Sequence, residues 1–256
     1  TLGDEPIRCS INPALVSGSL YKDKKLKKPC NVVVVGGGTA GLEAACTAAE
    51  VGCATVLIEK SGELGGLARR VGKMPNKQRL GYFPQYLERR AMKLKNLFIC
   101  KNTEASIEFI EGFKPDIVVN ATGSVPLLPN IPGLKENLEA GNVSTIFDLV
   151  DHVDSYPEDL SGKKVVVIGG GNVAIDVART STRVGDYNVS MFCLEDRDNM
   201  PASDEEVEEA LEEGVKLDCG WGPKEILTEN GKVTGIVLKK CTSVKDANGR
   251  FNPQYD

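Results

Sequence analysis

The chain has 256 residues, 41% of them hydrophobic and 26% charged, with 27 glycines and a formal net charge of −5. That length suits one large domain or two modest ones, each able to bury a core. The acid excess (pI ≈ 5.2) argues against a nucleic-acid partner, and no apolar stretch approaches the roughly 18 residues of a membrane span.

Thr1-Leu2-Gly3-Asp4-Glu5-Pro6 lacks the charged-then-apolar layout of a secretion signal. The eight cysteines are scattered without a C-x-x-C pair, which argues against both a disulfide framework and a protein dithiol relay. The expected compartment is the reducing cytoplasm.

Residues 1–29 carry little periodicity and end in the basic run Tyr21 to Lys28, a solvated linker. Val32 to Val35 form a continuous apolar run, short enough for a buried parallel strand. Gly36 to Gly41 make a turn, Leu42 to Val51 predict a helix, and Ala54 to Ile58 a second strand with Glu59 at its tip. Gln85 to Lys95 has helical spacing, Leu97 to Ile99 predicts a strand, and Asp116 to Ala121 another that runs into Thr122-Gly123. Residues 124–160, with four prolines, read as a crossover between domains.

The pattern then repeats. Val165 to Ile168 predict a strand, followed by a turn at Gly169, a helix through Arg183, and a strand from Val189 to Leu194 with Glu195 at its tip. Ser203 and Glu206 predict a capping box opening a helix that Gly214 ends. Val233 to Lys240 predict a strand and Asn248-Gly249 a hairpin turn. Only seven residues follow that turn, which suggests a fragment.

The two turns carry the chemistry. Gly36-Gly37-Gly38-Thr39-Ala40-Gly41 reads G-x-G-x-x-G, and Gly169-Gly170-Gly171-Asn172-Val173-Ala174 reads G-x-G-x-x-A, 133 positions later. At such a strand-to-helix hinge the first glycine permits the tight turn and the second admits a dinucleotide pyrophosphate. The third position lets helix and strand pack closely, while the helix start offers free N–H groups. Glu59 is placed to accept hydrogen bonds from ribose hydroxyls. Glu195-Asp196 at the second strand tip suits a free 2′-hydroxyl better than a 2′-phosphate, with Arg197 alongside. NADH is therefore expected over NADPH. Two fingerprints in one chain predict two bound dinucleotides that pass electrons between them, on two Rossmann-like, doubly wound three-layer α/β domains.

Asn31 to Gly133 resembles the FAD-binding half of the C-terminal region of Old Yellow Enzyme-type reductases, the group of 2,4-dienoyl-CoA reductase, 2-enoate reductase and trimethylamine dehydrogenase. The shared marks are Gly36 to Gly41, Glu59-Lys60, Leu64-Gly65-Gly66 and Ala121-Thr122-Gly123. Val165 to Val215 is similar to the nucleotide domain of the glutamate synthase small subunit, through Gly169 to Arg179 and Met200-Pro201-Ala202. That resemblance implies FAD, or ADP in its place, over the first fingerprint and NAD(H) over the second. Where glutamate-synthase-like chains carry a Tyr-Arg-Arg run that grips NADP, this sequence has Cys193, Leu194 and Glu195.

Arg8-Cys9-Ser10-Ile11-Asn12-Pro13 resembles the last cysteine of the iron–sulfur motif that follows an FMN barrel in the same reductases. This implies a parent in which Cys9 is the fourth ligand of a 4Fe–4S cluster, with FMN and the other three cysteines upstream. Residues 1–29 would be the linker from that barrel, 30–135 an incomplete FAD domain, 136–161 the crossover, and 162–256 a truncated NAD domain. The last strand of the first domain and its flavin contacts would lie beyond Asp256, and organic substrate would be reduced only in the barrel.

No acid or base is expected to be catalytic, since the flavin carries the chemistry. His152, the single histidine, reads as a surface residue, Glu205, Glu206, Glu208, Glu209, Glu212 and Glu213 as the wet face of a helix, and Trp221 as a packing residue in a loop. Two other readings stay open. One is a redox-inactive ADP-binding domain, as in trimethylamine dehydrogenase-like relatives. The other is a free-standing oxidoreductase subunit, as in glutamate synthase.

Overall fold

The computed structural model describes residues 9, 25–28, 30–74, 77–152, 163–185 and 188–256. The chain forms two compact units that meet in sequence at Pro126 and Leu127. Most of the expected linker, including Arg8 and Ser10 to Pro13, lies outside the described residues, as does the 153–162 stretch of the expected crossover.

In the first unit the order is β1 (Asn31–Val35), α1 (Thr39–Glu50), β2 (Ala54–Ile58), α2 (Gly66–Val71), a 3-10 turn (Gln78–Gly81), α3 (Tyr82–Ala91), β3 (Leu97–Cys100), α4 (Ile107–Gly112) and β4 (Ile117–Asn120). The strands make one parallel sheet in the order β3-β2-β1-β4, with Val33 opposite both Val56 and Val118. β1 sits in the middle, which is why its valines read as an unbroken apolar run. In α1 the buried Gly41, Leu42, Ala45, Cys46 and Ala49 repeat at helical spacing, and their small size lets the helix lie close on the sheet. Leu42, Leu57 and Leu87 are fully buried there, each contributing about 1.5–3 kcal/mol.

α3 starts and ends earlier than the expected 85–95. Pro84 falls in its first turn, where a missing N–H is harmless, and the chain turns after Ala91 as Leu94 N–H bonds back to Ala91 O. α1 likewise begins three residues before Leu42, directly at the glycine turn.

The second unit holds α5 (Leu134–Glu139), α6 (Ile146–Asp151), β5 (Lys164–Ile168), α7 (Asn172–Gly185), β6 (Asn188–Cys193), a 3-10 turn (Arg197–Asn199), α8 (Asp204–Glu212), β7 (Lys216–Cys219), β8 (Trp221–Glu229), β9 (Lys232–Lys245) and β10 (Phe251–Tyr255). β5-β6-β7 form a parallel sheet, and β8 to β10 an antiparallel one. Ile175 and Ala178 of α7, Met191 of β6, and Val207 and Ala210 of α8 form the buried core.

Residues 124–160, read as a crossover, contain two short helices, α5 and α6. Each is six residues long, too short to show a period, and α6 is opened by a Thr145–Asp148 capping box. Trp221 is not a loop packing residue but the first residue of β8, 37% exposed. Glu213 is half-buried, not simply part of a wet face: it holds Arg179 and Arg183 of α7, and Glu209 also reaches Arg179. α8 packs against α7, so those arginines take carboxylate partners.

β9 runs five residues past Lys240, because Asp246 Oδ1 accepts the N–H groups of Asn248 and Arg250 and so places the hairpin turn at 246–250. The Ser203 side chain caps α8 as expected, but its own N–H is donated to Asn172 Oδ1. Among the described residues no helix is long and apolar enough to cross a membrane.

Candidate functional site

In the first unit the glycine turn is built by contacts that only glycines allow. A Cβ on Gly41 would overlap Gly36 O, and one on Gly36 would overlap Ala121 O. Gly36 also has φ = +104°, a left-handed conformation suited to glycine. Those two close approaches bind the β1–α1 turn to the exit of β4, where Ala121 N–H donates to Val35 O at 2.8 Å. Thr122 follows, its hydroxyl on Asn120 Oδ1 at 2.9 Å, and then Gly123.

Gly38 is different. Nothing lies within 4 Å of where its Cβ would be, and its φ of −69° suits any residue. No packing or backbone demand explains glycine there. Gly38 is also the N-cap of α1 and offers no side-chain cap, and the first turn holds no acidic residue. The helix therefore opens beside a place that no side chain fills, with its first N–H groups, at Thr39 and Ala40, left without a side-chain cap.

The loop after β2 returns to this turn. Gly65 N–H donates to Gly37 O at 2.8 Å, Gly38 and Gly65 form a parallel bridge, and a Cβ on Gly66 would come 3.0 Å from Gly38 Cα. Glu59 closes the site at the strand tip. Its Oε2 accepts from Gly37 N–H at 2.6 Å and its Oε1 from Ser61 N–H at 2.7 Å. Burial alone would raise its carboxyl pKa, but the N–H groups of Ser61 and Gly37, with the Ser61 hydroxyl and Lys60, outweigh it and hold the value below the ordinary range. Lys60 itself is exposed.

The second unit repeats the arrangement. Gly169 has φ = +142° and would bring a Cβ within 3.2 Å of Ala174 Cβ, while Gly171, like Gly38, has nothing within 4 Å. α7 starts at Asn172 with an exposed Val173 and no acid in its first turn. Ala202 N–H donates to Gly170 O at 3.1 Å, the counterpart of Gly65 on Gly37. Glu195 is again the strand-tip carboxylate: a Cβ on Gly170 would meet its Oε2 at 2.7 Å. Arg197 is paired with Asp204 at 3.0 Å. Burial, then the neighbouring Cys219 and Glu195, push the Cys193 thiol up to about 12, so it is a neutral packing group.

Each fingerprint is therefore brought together with its acidic tip and return loop. Sequence reasoning missed the middle glycines, Gly37 and Gly170, which admit the carboxylates, and Ser61. Their signal was present in the G-x-G pattern, but x carries no fixed identity there. Cys9 is half-buried, and among the described residues no three His, Cys, Asp or Glu side chains gather to hold a metal. His152 is exposed, at the C-cap of α6.

The family model for pyridine nucleotide-disulphide oxidoreductases matches residues 91–249, and that for FAD dependent oxidoreductases matches residues 31–90. NADH oxidase of Thermoanaerobacter brockii is 35% identical over 175 residues, covering 67% of this chain and 26% of the relative. The glutamate synthase [NADPH] small chain of Azospirillum brasilense is 31% identical over 240 residues, covering 88% and 48%. Among solved structures, a 2-naphthoyl-CoA reductase complex has a TM-score of 0.73 at 24% identity, over 96% of this chain and 35% of the other.

The chain thus spans from about a quarter to half the length of these curated relatives. The resemblance carried by Gly36 to Gly66 and Gly169 to Ala202 holds, and the fold is that of Rossmann-type FAD/NAD(P)-binding oxidoreductases. The chain is an FAD/NAD(P)-dependent oxidoreductase domain and belongs to the pyridine nucleotide-disulphide oxidoreductase family.

Proposed function

We propose that this chain is the FAD- and NAD(H)-binding electron-transfer module of a flavin-dependent NADH oxidoreductase of the enoate or dienoyl-CoA reductase kind. The observation that carries the reading is the cleared space above Gly38 and Gly171, each at the start of a helix. A glycine with no neighbour and, at Gly38, no strained backbone is best explained by a ligand that needs the room.

A nicotinamide supplies a hydride, and a flavin accepts it and releases electrons singly. The residues of the chain bind and orient. The N–H groups at Thr39 and Ala40 would face one pyrophosphate, and those at Asn172 and Val173 the other. Glu59 has lone pairs left for ribose hydroxyls after the bonds it already accepts, and the Glu195 carboxylate would offer its own. Gly65-Gly66 and Ala121-Thr122-Gly123 would border the first nucleotide, next to the β1–α1 turn. Glu195, with Arg197 held by Asp204, favours NADH over NADPH. In this reading Cys9 would be one ligand of a 4Fe–4S cluster in the parent, and that cluster and FMN in an N-terminal barrel would supply the one-electron chemistry.

A second reading, a glutamate synthase small-chain-like subunit, is favoured by the 88% coverage of that relative against 67% for the NADH oxidase. Cys193-Leu194-Glu195 stands against it, because a carboxylate at that tip repels the 2′-phosphate of NADPH.

Anaerobic mixing of the FAD-loaded chain with NADH or NADPH tests the proposal. It expects loss of the oxidised-flavin absorbance, faster with NADH. A flavin that stays oxidised with both, or a chain that takes ADP but no FAD, contradicts it.

A further inference from the structure

We propose that Cys30 and Cys53 form an oxidisable thiol pair that hydrogen peroxide converts to a disulfide, stapling the amino ends of β1 and β2. Cys30 directly precedes β1 and Cys53 directly precedes β2. The parallel register pairs Asn31 with Ala54, and Ala54 N–H donates to Cys30 O at 3.1 Å, so the two cysteines are the next register mates. Neighbouring strands run about 4.8 Å apart, inside the range of roughly 4.4–6.8 Å that disulfides accept between Cα atoms. The sulfurs already lie 3.4 Å apart. Forming the bond needs only a small side-chain rotation.

Exposure assigns the order of events. Cys30 is half-buried and Cys53 is 2% exposed, so oxidant reaches Cys30 first while Cys53 waits beside it. The Cys30 sulfur attacks the peroxide O–O bond, releasing one water and leaving a sulfenic acid. The Cys53 sulfur then attacks Cys30 Sγ and expels the second water. The dithiol gives up two electrons and two protons, and the peroxide is reduced to two waters. The Cys53 thiol alongside, together with burial, pushes the Cys30 thiol up, so the reaction is slow at neutral pH.

The position rules out electron exchange with a nucleotide at the glycine turn. Five residues of β1 separate Cys30 from Gly36, six steps or roughly 20 Å at strand rise. The staple therefore acts on the base of the β1–α1–β2 unit, whose opposite end carries Gly36 to Gly41 and Glu59. Cys193 and Cys219 are also register mates whose thiols interact, although the Cys193 thiol is directed to Glu195 O as well and that of Cys219 to Met200 Sδ.

The test uses the purified chain, fully reduced, then treated with hydrogen peroxide, acid-quenched, alkylated and digested without reductant. A linked peptide containing Cys30 and Cys53 is expected, about 2 Da below the sum of its two parts for the two hydrogens lost. The oxidised chain also melts several degrees higher, and a reducing agent reverses the shift. In Cys53→Ser a sulfenic acid at Cys30 should be trapped by dimedone instead. Recovery of Cys30 and Cys53 as separate alkylated or over-oxidised residues in the wild-type chain, or linked to other cysteines first, overturns the proposal. The wild-type map decides even if the variant fails to fold.

Discussion

Gly37 N–H donates to Glu59 Oε2 at 2.6 Å, so the fingerprint itself fixes the carboxylate at the tip of the next strand. Only a residue without a Cβ sits there easily, since a side chain on Gly37 would press on Glu59 and Leu64. Gly170 lies equally close to the Glu195 carboxylate in the second unit, where a Cβ would meet its Oε2 at 2.7 Å.

If Glu59 receives ribose hydroxyls, Glu59→Gln removes a charged acceptor while keeping its shape. A hydrogen bond to a charged group is worth about 1.5–3 kcal/mol, so FAD or ADP affinity should fall roughly tenfold or more. Calorimetric titration measures it, and a change under about twofold would place Glu59 outside the nucleotide contact.

The same residue sets a pH dependence. Its folded pKa lies below the unfolded carboxylate value, so its stabilisation is complete above that value, about 4.3. It is lost as pH falls through the depressed folded value. In urea titrations, the stability gap between wild type and Glu59→Gln should be flat from neutral pH to about 5 and narrow below. A gap that widens on acidification would contradict the hydrogen-bond assignment.

Gly38 and Gly41 separate binding from folding. Gly38→Ala meets no atom and needs no strained backbone, so the melting temperature should hold while nucleotide affinity drops at least tenfold. Gly41→Ala collides with Gly36 O and should cost about 1–3 kcal/mol or more of stability, since the backbone there must shift. Equal binding losses with equal unfolding in both variants would refute the distinction.

Glu195→Arg should turn the coenzyme preference. Replacing a carboxylate by a guanidinium removes repulsion and adds a phosphate partner, so the NADPH-to-NADH affinity ratio should rise at least about tenfold. An unchanged ratio would mean that the adenosine end lies elsewhere.

The outline of this site was legible because strand, glycine turn and helix are local in sequence. β1 and β5 announce themselves as valine-rich runs, β2 and β6 as mostly apolar ones, and Gly36, Gly41 and Gly169 mark the turns that lead from β1 and β5 into their helices. What stayed hidden depends on tertiary contacts. α5 and α6 are single-turn-scale helices in a proline-rich stretch, held by Asn137 bonding to Thr228 and by the Thr145–Asp148 cap. β7 and β8 alternate too briefly to stand out. Glu213 looked like one more solvated acid, because its partners, Arg179 and Arg183, lie thirty or more positions upstream. The return of Gly65 to Gly37, and of Ala202 to Gly170, is a backbone bond that no side-chain identity encodes.

The most direct test is an equilibrium titration of FAD and NADH together on the wild-type chain and on Gly38→Ala and Gly171→Ala. The account predicts one FAD and one NADH bound at the same time, with the Gly38 substitution weakening only FAD and the Gly171 substitution weakening only NADH. Competition of the two nucleotides for a single site, or affinities that neither substitution alters, would contradict it.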